Sequence, residues 1–317
     1  MRGLQGLMEQ SAVPQYDIVT GAFDYTGRHI AVKLLESGHR VGTITRCPGR
    51  SYVLGERVGV LPYFDKPAAL EESLRGVDTV YNTHWTRFDR GSSTFENAIK
   101  NIDVLLEAAQ RAGVRKFVHI SVSNADRNPR FPYFRNKCKV EEKIRNSGID
   151  YAILRPALIF GPEEILINNI FYFLKHYHAF AIPGDGNYKI QPIHVDDLAD
   201  MAIKSVHEKG NLELNVAGPE DFTFNELVGL LEKESGTFSF VFHASPTIAL
   251  LCAKAIGKIL LHDTVLTKDE MDSLIEGLLE SQNPERGNIR FSDWLKGNKN
   301  IAGERYAHEL RRHYSSF

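Results

Sequence analysis

The chain has 317 residues, of which 43% are hydrophobic and 25% are charged, and its formal net charge is -2. This length suits one large domain or two unequal ones, and the composition is that of an ordinary globular protein. The near-neutral charge argues against the concentrated basic face that nucleic acid or a membrane surface would require, so we expect neither partner.

Three cysteines, Cys47, Cys138 and Cys252, show neither paired spacing nor the spacing of metal ligands with histidine. A sparse, odd number of cysteines is typical of a reducing compartment, so we expect a cytoplasmic protein without a metal site. The first 15 residues lack the apolar segment of a secretory signal. No run of about 18 apolar residues predicts a helix that crosses a membrane.

The first half of the chain alternates short apolar runs with helical patterns. The six predicted strands are Tyr16–Thr20, Arg40–Thr45, Val58–Pro62, Thr79–Thr83, Lys116–Ser121 and Tyr151–Arg155. The four predicted helices are Thr26–Ser37, Ala68–Leu74, Thr94–Ala112 and Arg135–Asn146. Continuous apolar runs indicate strands that are buried on both faces. The sequence therefore predicts an α/β fold, a doubly wound parallel sheet of the Rossmann type.

The pattern becomes less regular after Arg155, where helical segments alternate with loops such as Ile182–Gly186. No repeat or low-complexity linker separates the two halves. We therefore predict a nucleotide-binding Rossmann domain over residues 16–160. A smaller α+β lobe over residues 161–317 is expected to share elements with it.

Residues 19–28 read Val-Thr-Gly-Ala-Phe-Asp-Tyr-Thr-Gly-Arg and lie between the first predicted strand and the first predicted helix. A glycine loop in this context binds the diphosphate of a dinucleotide. Gly21 would permit a tight turn, and Gly27 would let the helix pack closely on the strand. The loop predicts a dinucleotide site behind Thr20, at the carboxyl end of the strand.

Asp24 stands where such a loop has its middle glycine. Its carboxylate would repel a phosphate by about 3 kcal/mol at ~5 Å and an effective dielectric constant of roughly 20. Alternatively, Asp24 is the N-cap of the helix, since aspartate is a favoured cap. A capping carboxylate would then occupy the N–H groups that a phosphate uses. The affinity of the site for a dinucleotide is therefore open.

Further landmarks follow in order along the chain. They are Thr20-Gly21-Ala22 with Gly27, Asp65, Asn101, Tyr133-x-x-x-Lys137, Arg155-Pro156, Gly161-Pro162 and His194-Val195-Asp196-Asp197. With this set the chain resembles the extended and atypical short-chain dehydrogenases/reductases, which include sugar-nucleotide epimerases and dehydratases. Within that group it is most similar to the NmrA-like regulators and the Rossmann accessory subunit of respiratory NADH dehydrogenase. The resemblance covers about residues 17–218.

The resemblance implies a cofactor site formed by the glycine loop, the ends of the strands and the central helices. The residues it assigns to cofactor binding are Gly21, Phe23, Asp24, Tyr25, Thr26, Gly27, Arg46, Asp65, Thr83, Asn101, Lys137 and Pro156. Among them, Asp65 matches the acidic residue that contacts adenine, and Asn101 matches the asparagine of the central helix.

A spacing of four places Tyr133 and Lys137 on one face of a helix, where the ammonium would lower the phenol pKa from its reference value near 10. The resemblance implies that Tyr133 moves a proton to or from a substrate hydroxyl or carbonyl, while Lys137 holds the nicotinamide ribose. Ser123 would polarise the same oxygen, with Ser121 as the alternative if the alignment slips. Otherwise, Tyr133 packs among neighbouring phenylalanines and Lys137 is a solvated charge.

The choice of cofactor is made at the end of the second strand, where NAD sites carry an acidic residue for the ribose 2′-hydroxyl. Here the segment Thr43–Arg46 ends in a guanidinium, with Arg50 nearby in the sequence. A guanidinium suits a 2′-phosphate, and Arg28 could join it from the first helix. These residues favour NADP(H) over NAD(H), unless the arginines simply lie on the surface.

Other candidate features carry weaker signals. Residues 248–261 are apolar apart from two lysines, and we expect an amphipathic helix packed on the protein. His194 is more typical of a packing or hydrogen-bonding residue than of a catalytic base. His84, Trp85 and Phe160 lie near strand ends and line either the substrate pocket or the core.

Two functions fit these features. One is an NADP(H)-dependent oxidoreductase or epimerase acting on a small carbonyl or hydroxyl substrate, which Tyr133 and Lys137 favour. The other is a non-catalytic NAD(P)-binding module that senses redox state or serves as a structural subunit, which Asp24 favours. A third alternative is a structural Rossmann fold that binds no dinucleotide. A homodimer is compatible with each of them.

Overall fold

A computed structural model describes residues 14–46, 54–125 and 130–310 of the chain. The strands in these residues are β1 (Tyr16–Thr20), β2 (Arg40–Ile44), β3 (Val58–Leu61), β4 (Thr79–Asn82), β5 (Lys116–Ile120), β6 (Asp150–Pro156), β7 (Leu158–Phe160), β8 (Ala179–Pro183), β9 (Lys189–Ile190), β10 (Pro192–His194), β11 (Leu212–Ala217), β12 (Phe222–Thr223), β13 (Phe240–Ala244) and β14 (Glu285–Arg286). The α-helices are α1 (Tyr25–Glu36), α2 (Pro67–Ser73), α3 (Phe95–Ala112), α4 (Pro132–Arg145), α5 (Leu166–Tyr177), α6 (Val195–Lys204), α7 (Phe224–Ser235), α8 (Pro246–Ile256), α9 (Lys268–Ile275) and α10 (Phe291–Asn298).

The main sheet contains eight strands in the order β3-β2-β1-β4-β5-β6-β11-β14. Every pairing between neighbours in it is parallel. The predicted doubly wound Rossmann sheet is therefore confirmed, and the six predicted strands of the first half coincide with β1 to β6 to within two residues at each end. All residues of β4 and β5 are buried, as expected for strands covered on both faces.

Helices cover the sheet on both sides, and each side has its own apolar core. One core combines sheet residues with α3 and α4, including Ile102, Leu105 and Val140. The other combines sheet residues with α1 and α6, including Leu34 and Leu198. The long helix α3 presents apolar residues at helical spacing to its core, begins at the Thr94 hydroxyl cap and ends at Gly113, whose φ is +76°.

The second half of the chain contributes to the main sheet and also forms a core of its own. β11 pairs with β6 along five residues, and β14 pairs with β11, so both strands extend the sheet of the first half. The remaining strands form two-stranded pairs, β7 with β10, β8 with β13 and β9 with β12. A separate apolar core lies between α5, α7 and α10, around Phe171, Leu227 and Leu295. The predicted boundary at residue 160 stays a prediction, although the chain returns to the first sheet well beyond it.

The helix expected over residues 248–261 forms, as α8 and a π-helical continuation over Gly257–Leu261. The expectation that it packs on the protein is confirmed for one side, which contacts β8, β13 and α9, whereas the other side is exposed. Ile248 and Leu251 are 55% and 67% exposed, and the buried residue in α8 is Ala249. In the described parts of the chain, no helix combines the length and the apolar character that crossing a membrane requires.

A buried carboxylate joins β5, α4 and β6 beneath the carboxyl edge of the sheet. The side chain of Glu141 is 1% exposed and accepts hydrogen bonds from Ser121 Oγ at 2.5 Å and from Arg155 Nε at 2.9 Å. Arg145 pairs with the same carboxylate, and both arginines also reach Glu213 on β11. A buried charge of this kind depends on its ion-pair partners, because removing one partner leaves the other buried charge uncompensated.

Replacing Glu141 by glutamine keeps the shape of the side chain but removes its charge. We expect the free energy of unfolding to fall by about 3 kcal/mol, because Arg155 is largely buried and loses the carboxylate to which it donates two hydrogen bonds. Chemical denaturation measures the loss. Glu142→Gln, on the exposed face of the same helix, is the matched control and should change stability by less than about 0.5 kcal/mol. Equal losses in the two variants would show that the network does not stabilise the fold.

Candidate functional site

The turn after β1 has the shape that a glycine-rich loop requires. Gly21 has a φ of +69°, in the left-handed region where glycine is favoured. A Cβ on Gly27 would lie 2.3 Å from the carbonyl oxygen of Gly21, so α1 approaches the turn more closely than a side chain permits. The hydroxyl of Thr83, just after β4, donates to the carbonyl oxygen of Thr20 at 2.5 Å and ties the two strand ends together. This cradle at the start of a helix fits a diphosphate group.

Asp24 is the N-cap residue of α1, but its side chain accepts no capping hydrogen bond. The prediction that its carboxylate occupies the N–H groups of the first turn is therefore wrong. Its backbone N–H donates to the carbonyl oxygen of Gly21 at 2.8 Å. One carboxylate oxygen lies 3.2 Å from the position that a Cβ on Gly21 would take. The carboxylate therefore lies beside the Gly21 turn, where its negative charge would repel a bound phosphate.

The other predicted loop residues support the turn. Phe23 packs against the core beneath α1, and Thr26 is half-buried in the first turn of that helix. The ring of Tyr25 stands edge-on to His29, with the ring centres 5.6 Å apart. A Cβ on Gly161 would lie 2.8 Å from the Tyr25 hydroxyl oxygen, so the segment after β7 packs directly against the glycine loop.

A chain of polar contacts runs from the end of β2 to α3. The guanidinium of Arg46 lies 4.6 Å from the centre of the Tyr63 ring. The amide of Asn101 lies 3.5 Å from the Tyr63 hydroxyl and 3.3 Å from His84 Nε2. Burial lowers the pKa of His84 to about 4, and the charges of Arg46 and Lys137 act in the same direction. The His84 ring is therefore neutral at pH 7.

Other residues expected near the adenosine half of a cofactor are placed differently. Arg28 forms a salt bridge with Glu163 at 2.7 Å, and that it joins the guanidinium after the second strand stays a prediction. Asp65 is exposed and lies four residues beyond β3, whereas Tyr63 stands closer to the strand end. A contact between Asp65 and adenine stays a prediction. Arg50 lies outside the described residues.

Tyr133 and Lys137 both lie on α4, but no hydrogen bond joins them in the described structure. Lys137 Nζ donates to the carbonyl oxygen of Ile120 at 2.8 Å and lies 4.7 Å from the centre of the Trp85 ring. Burial lowers the pKa of Lys137 to about 7. Close to neutral pH, therefore, only part of the population carries the ammonium that the predicted chemistry requires.

The electrostatic surroundings of Tyr133 are set by the second half of the chain. Burial raises the pKa of its phenol, and the carboxylates of Glu270 and Glu309 raise it further, while Arg87 opposes them. Arg87 is itself ion-paired with both carboxylates. The prediction that Lys137 lowers the phenol pKa is wrong, because these groups and burial hold the phenol in its neutral form. In this arrangement Tyr133 is a poor general base.

The hydroxyl predicted to polarise a substrate oxygen is engaged elsewhere. Ser123 is fully buried, and its hydroxyl donates to the carbonyl oxygen of Leu278 at 2.8 Å. The Asn124 amide donates to the same oxygen at 2.9 Å, while the Ser123 backbone N–H donates to the carbonyl of Pro156. The alternative, Ser121, donates to the buried carboxylate on α4. The polarising role of Ser123 stays a prediction, and it would require the Leu278 carbonyl to withdraw.

His194 acts as a helix cap. Its Nδ1 accepts a hydrogen bond from the Asp196 N–H at 3.2 Å at the start of α6. Its ring lies edge-on to the fully buried ring of Phe160, with the centres 5.1 Å apart. Burial lowers the pKa of His194, so the neutral ring is favoured. These contacts engage Nδ1 and the ring, whereas Nε2 is buried and has no hydrogen-bond partner among the described residues, so a non-catalytic role for His194 stays a prediction.

Sequence reasoning missed several residues that shape the site. Tyr63 had a usable signal, since it is an aromatic residue two positions after a strand end. No sequence signal pointed to Arg87, Glu270 or Leu278. Glu270 is 183 residues from its partner Arg87, and Leu278 is 155 residues from its partner Ser123. Only the packing of the second half across the carboxyl edge brings them to the site.

A family model described as NAD(P)H-binding matches residues 21–173, which include the glycine loop, Tyr133 and Lys137. Among solved structures, NADPH-dependent quinone oxidoreductase from Escherichia coli, complexed with NADPH, superimposes with a TM-score of 0.69. The match covers 85% of this chain and 92% of that one at 22% identity, and it shows a shared fold.

Two curated relatives show similar levels of identity. Subunit 9 of the alpha subcomplex of mitochondrial NADH dehydrogenase from Arabidopsis thaliana is 26% identical over 226 residues, which cover 67% of this chain and 56% of that protein. Photosystem II assembly factor Ycf39 of Guillardia theta is 26% identical over 223 residues, covering 69% of this chain and 70% of the other. The chain thus spans little more than half the length of the Arabidopsis relative.

Proposed function

We propose that this protein is a nucleotide-binding module that does not turn over a substrate, and the match of residues 21–173 to a family model described as NAD(P)H-binding supports this. It binds NADP(H) at the carboxyl edge of the main sheet, and the bound nucleotide serves a structural or redox-sensing role.

The contact between Ser123 and Leu278 supports this proposal most directly. A serine that polarises a substrate oxygen needs its proton for that oxygen, and here a backbone carbonyl accepts it at 2.8 Å. Lys137 is likewise held by a backbone carbonyl, and the Tyr133 phenol has a raised pKa. Two of the three predicted catalytic groups, Ser123 and Lys137, are therefore hydrogen-bonded to backbone carbonyls of the protein itself.

The donor set at the nucleotide cradle favours NADP(H) over NAD(H). Gly21 and Gly27 provide the close backbone approach, and the start of α1 provides N–H groups for the diphosphate. Arg46 follows β2, where a 2′-phosphate would be recognised, and a guanidinium binds phosphate through charge-assisted hydrogen bonds. A bound nicotinamide would supply the capacity to give or take a hydride.

The names of the relatives agree with a role without turnover. One is named as a subunit of NADH dehydrogenase and another as an assembly factor of photosystem II. Extending such a role to this chain is part of the proposal. The cytoplasmic location expected from the cysteines stays a prediction, since the first of these relatives is named as mitochondrial.

A second candidate is an NADP(H)-dependent oxidoreductase or epimerase acting on a small carbonyl or hydroxyl compound. The observation that favours it is that Tyr133 and Lys137 lie one turn apart on α4, beside the strand ends. Catalytic hydrogen bonds are often absent until a ligand is bound. If the Leu278 carbonyl withdraws when ligand binds, Ser123 regains its proton and the three groups can act together.

Replacing Arg46 by alanine should weaken the binding of NADP⁺ by about tenfold or more while leaving NAD⁺ nearly unchanged, because only NADP⁺ carries the 2′-phosphate. Isothermal titration calorimetry with both nucleotides measures the two dissociation constants. Arg40→Ala, at the exposed start of the strand that Arg46 follows, is the control. Equal weakening for both nucleotides would show that Arg46 does not recognise the 2′-phosphate.

Replacing Asp24 by glycine should tighten the binding of NADP⁺ by about tenfold, because a carboxylate over the loop repels the diphosphate. The same calorimetric titration measures the change. Asp24→Asn separates charge from volume, since it keeps the size of the side chain. Unchanged affinity in both variants would mean that the side chain does not face the diphosphate.

The absence of turnover is tested with the NADPH-loaded protein. We expect no NADPH oxidation above the buffer rate when quinones or aldehydes are added, as followed by absorbance. Tyr133→Phe should bind NADP⁺ with wild-type affinity, because its phenol is not assigned to the nucleotide. Sustained oxidation that is lost in Tyr133→Phe would reject the module and establish the second candidate.

A further inference from the structure

Exposed apolar side chains are concentrated in one segment of the second half. Nine large apolar residues of the described chain are exposed, and six of them fall between residues 238 and 259. We name these six the apolar patch: Phe238, Phe240, Phe242, Ile248, Leu251 and Ile259. Phe238 is 88% exposed, and Leu251 and Ile259 are 67% and 69% exposed. A concentration of exposed large apolar side chains is typical of an interaction surface.

The two structural elements that carry the patch lie side by side. On β13, the rings of Phe240 and Phe242 are stacked with their centres 5.3 Å apart. α8 follows after the capping Ser245 and packs against β8 and β13. On α8 and its continuation, Ile248, Leu251 and Ile259 recur at helical spacing and share one face. That face points away from the protein, since each of these side chains is more than half exposed.

The charge of the segment is as unusual as its exposure. Residues 236–262 contain no aspartate or glutamate, although the chain has 40 acidic residues in 317. The segment instead carries two lysines, Lys254 and Lys258, one helical turn apart. Neither forms an ion pair with any described residue. The acidic residue that follows the segment, Asp263, is buried, and its carboxylate accepts the N–H groups of Glu309 and Leu310.

We propose that the apolar patch docks on the surface of a lipid bilayer that contains anionic lipids. In this arrangement α8 lies in the plane of the interface with its apolar face among the acyl chains, while Lys254 and Lys258 contact the headgroups. The helix and its continuation, over Pro246–Leu261, span about 24 Å, which is too short to cross a hydrocarbon core of roughly 30 Å.

The local charge favours lipid over a protein partner. An acid-free segment with unpaired lysines matches an anionic headgroup layer, whereas a protein interface usually has few lysines. The near-neutral net charge of the whole chain predicts no membrane contact. Residues 236–262 differ from that average, because they carry two lysines and no acidic residue. The proposal does not rest on nucleotide binding, because the patch lies on different elements from the glycine loop.

The test is flotation of the full chain with vesicles of phosphatidylcholine alone and of phosphatidylcholine containing phosphatidylglycerol. We expect the protein to float with the anionic vesicles. Leu251→Glu should weaken binding by roughly tenfold or more, because it places a charge in the apolar face. Lys254→Gln and Lys258→Gln should each weaken it by about fivefold on anionic vesicles.

Matched controls lie elsewhere on the surface. Ile301→Glu alters an equally exposed apolar residue outside the patch, and Lys209→Gln removes an exposed lysine; both should bind as the wild type does. Thermal unfolding confirms that each variant is folded. Failure of the wild type to float with anionic vesicles, or equal flotation of Leu251→Glu, overturns the proposal. A concentration-dependent dimer that Leu251→Glu abolishes, without vesicle binding, overturns it as well and assigns the patch to a second copy.

Discussion

All eight strands of the main sheet run in one direction, so their carboxyl ends and the residues that follow them lie at a single edge. This constraint brings the glycine loop after β1, Arg46 after β2 and Ser123 after β5 to the same side of the molecule. Backbone N–H groups and side chains converge there because parallel strands end together. The segments that pack on this edge therefore determine the hydrogen bonds and the protonation of the groups that converge there.

The second half of the chain covers it. The carbonyl of Leu278 takes the proton of Ser123, and the ion pairs of Arg87 with Glu270 and Glu309 set the environment of Tyr133. Two groups of the predicted catalytic site, Ser123 and Lys137, are in this way engaged by backbone carbonyls outside the set. Satisfied buried polar groups stabilise the closed arrangement, since exposing or stranding them would cost free energy.

The second half of the chain also exposes an apolar surface, which lies on β13 and α8. The described residues bury apolar side chains in four separate clusters, yet six large apolar residues within 22 residues of sequence are exposed, which is typical of an interaction surface. The nucleotide cradle and the apolar patch are thus carried by different layers, so substitutions in one can be examined without disturbing the other.

The sequence by itself determined the Rossmann sheet, the glycine loop and the positions of Tyr133 and Lys137, because apolar periodicity, turn residues and helical spacing are local properties of the chain. It could not predict that Lys137 would be held by Ile120, that Arg28 would pair with Glu163, or that Leu278 would accept the Ser123 proton. Nor could it show that one side of α8, with Ile248 and Leu251, would remain exposed. Those outcomes depend on which distant segments pack together, and tertiary structure alone decided them because pKa, burial and hydrogen bonding follow from neighbours in space.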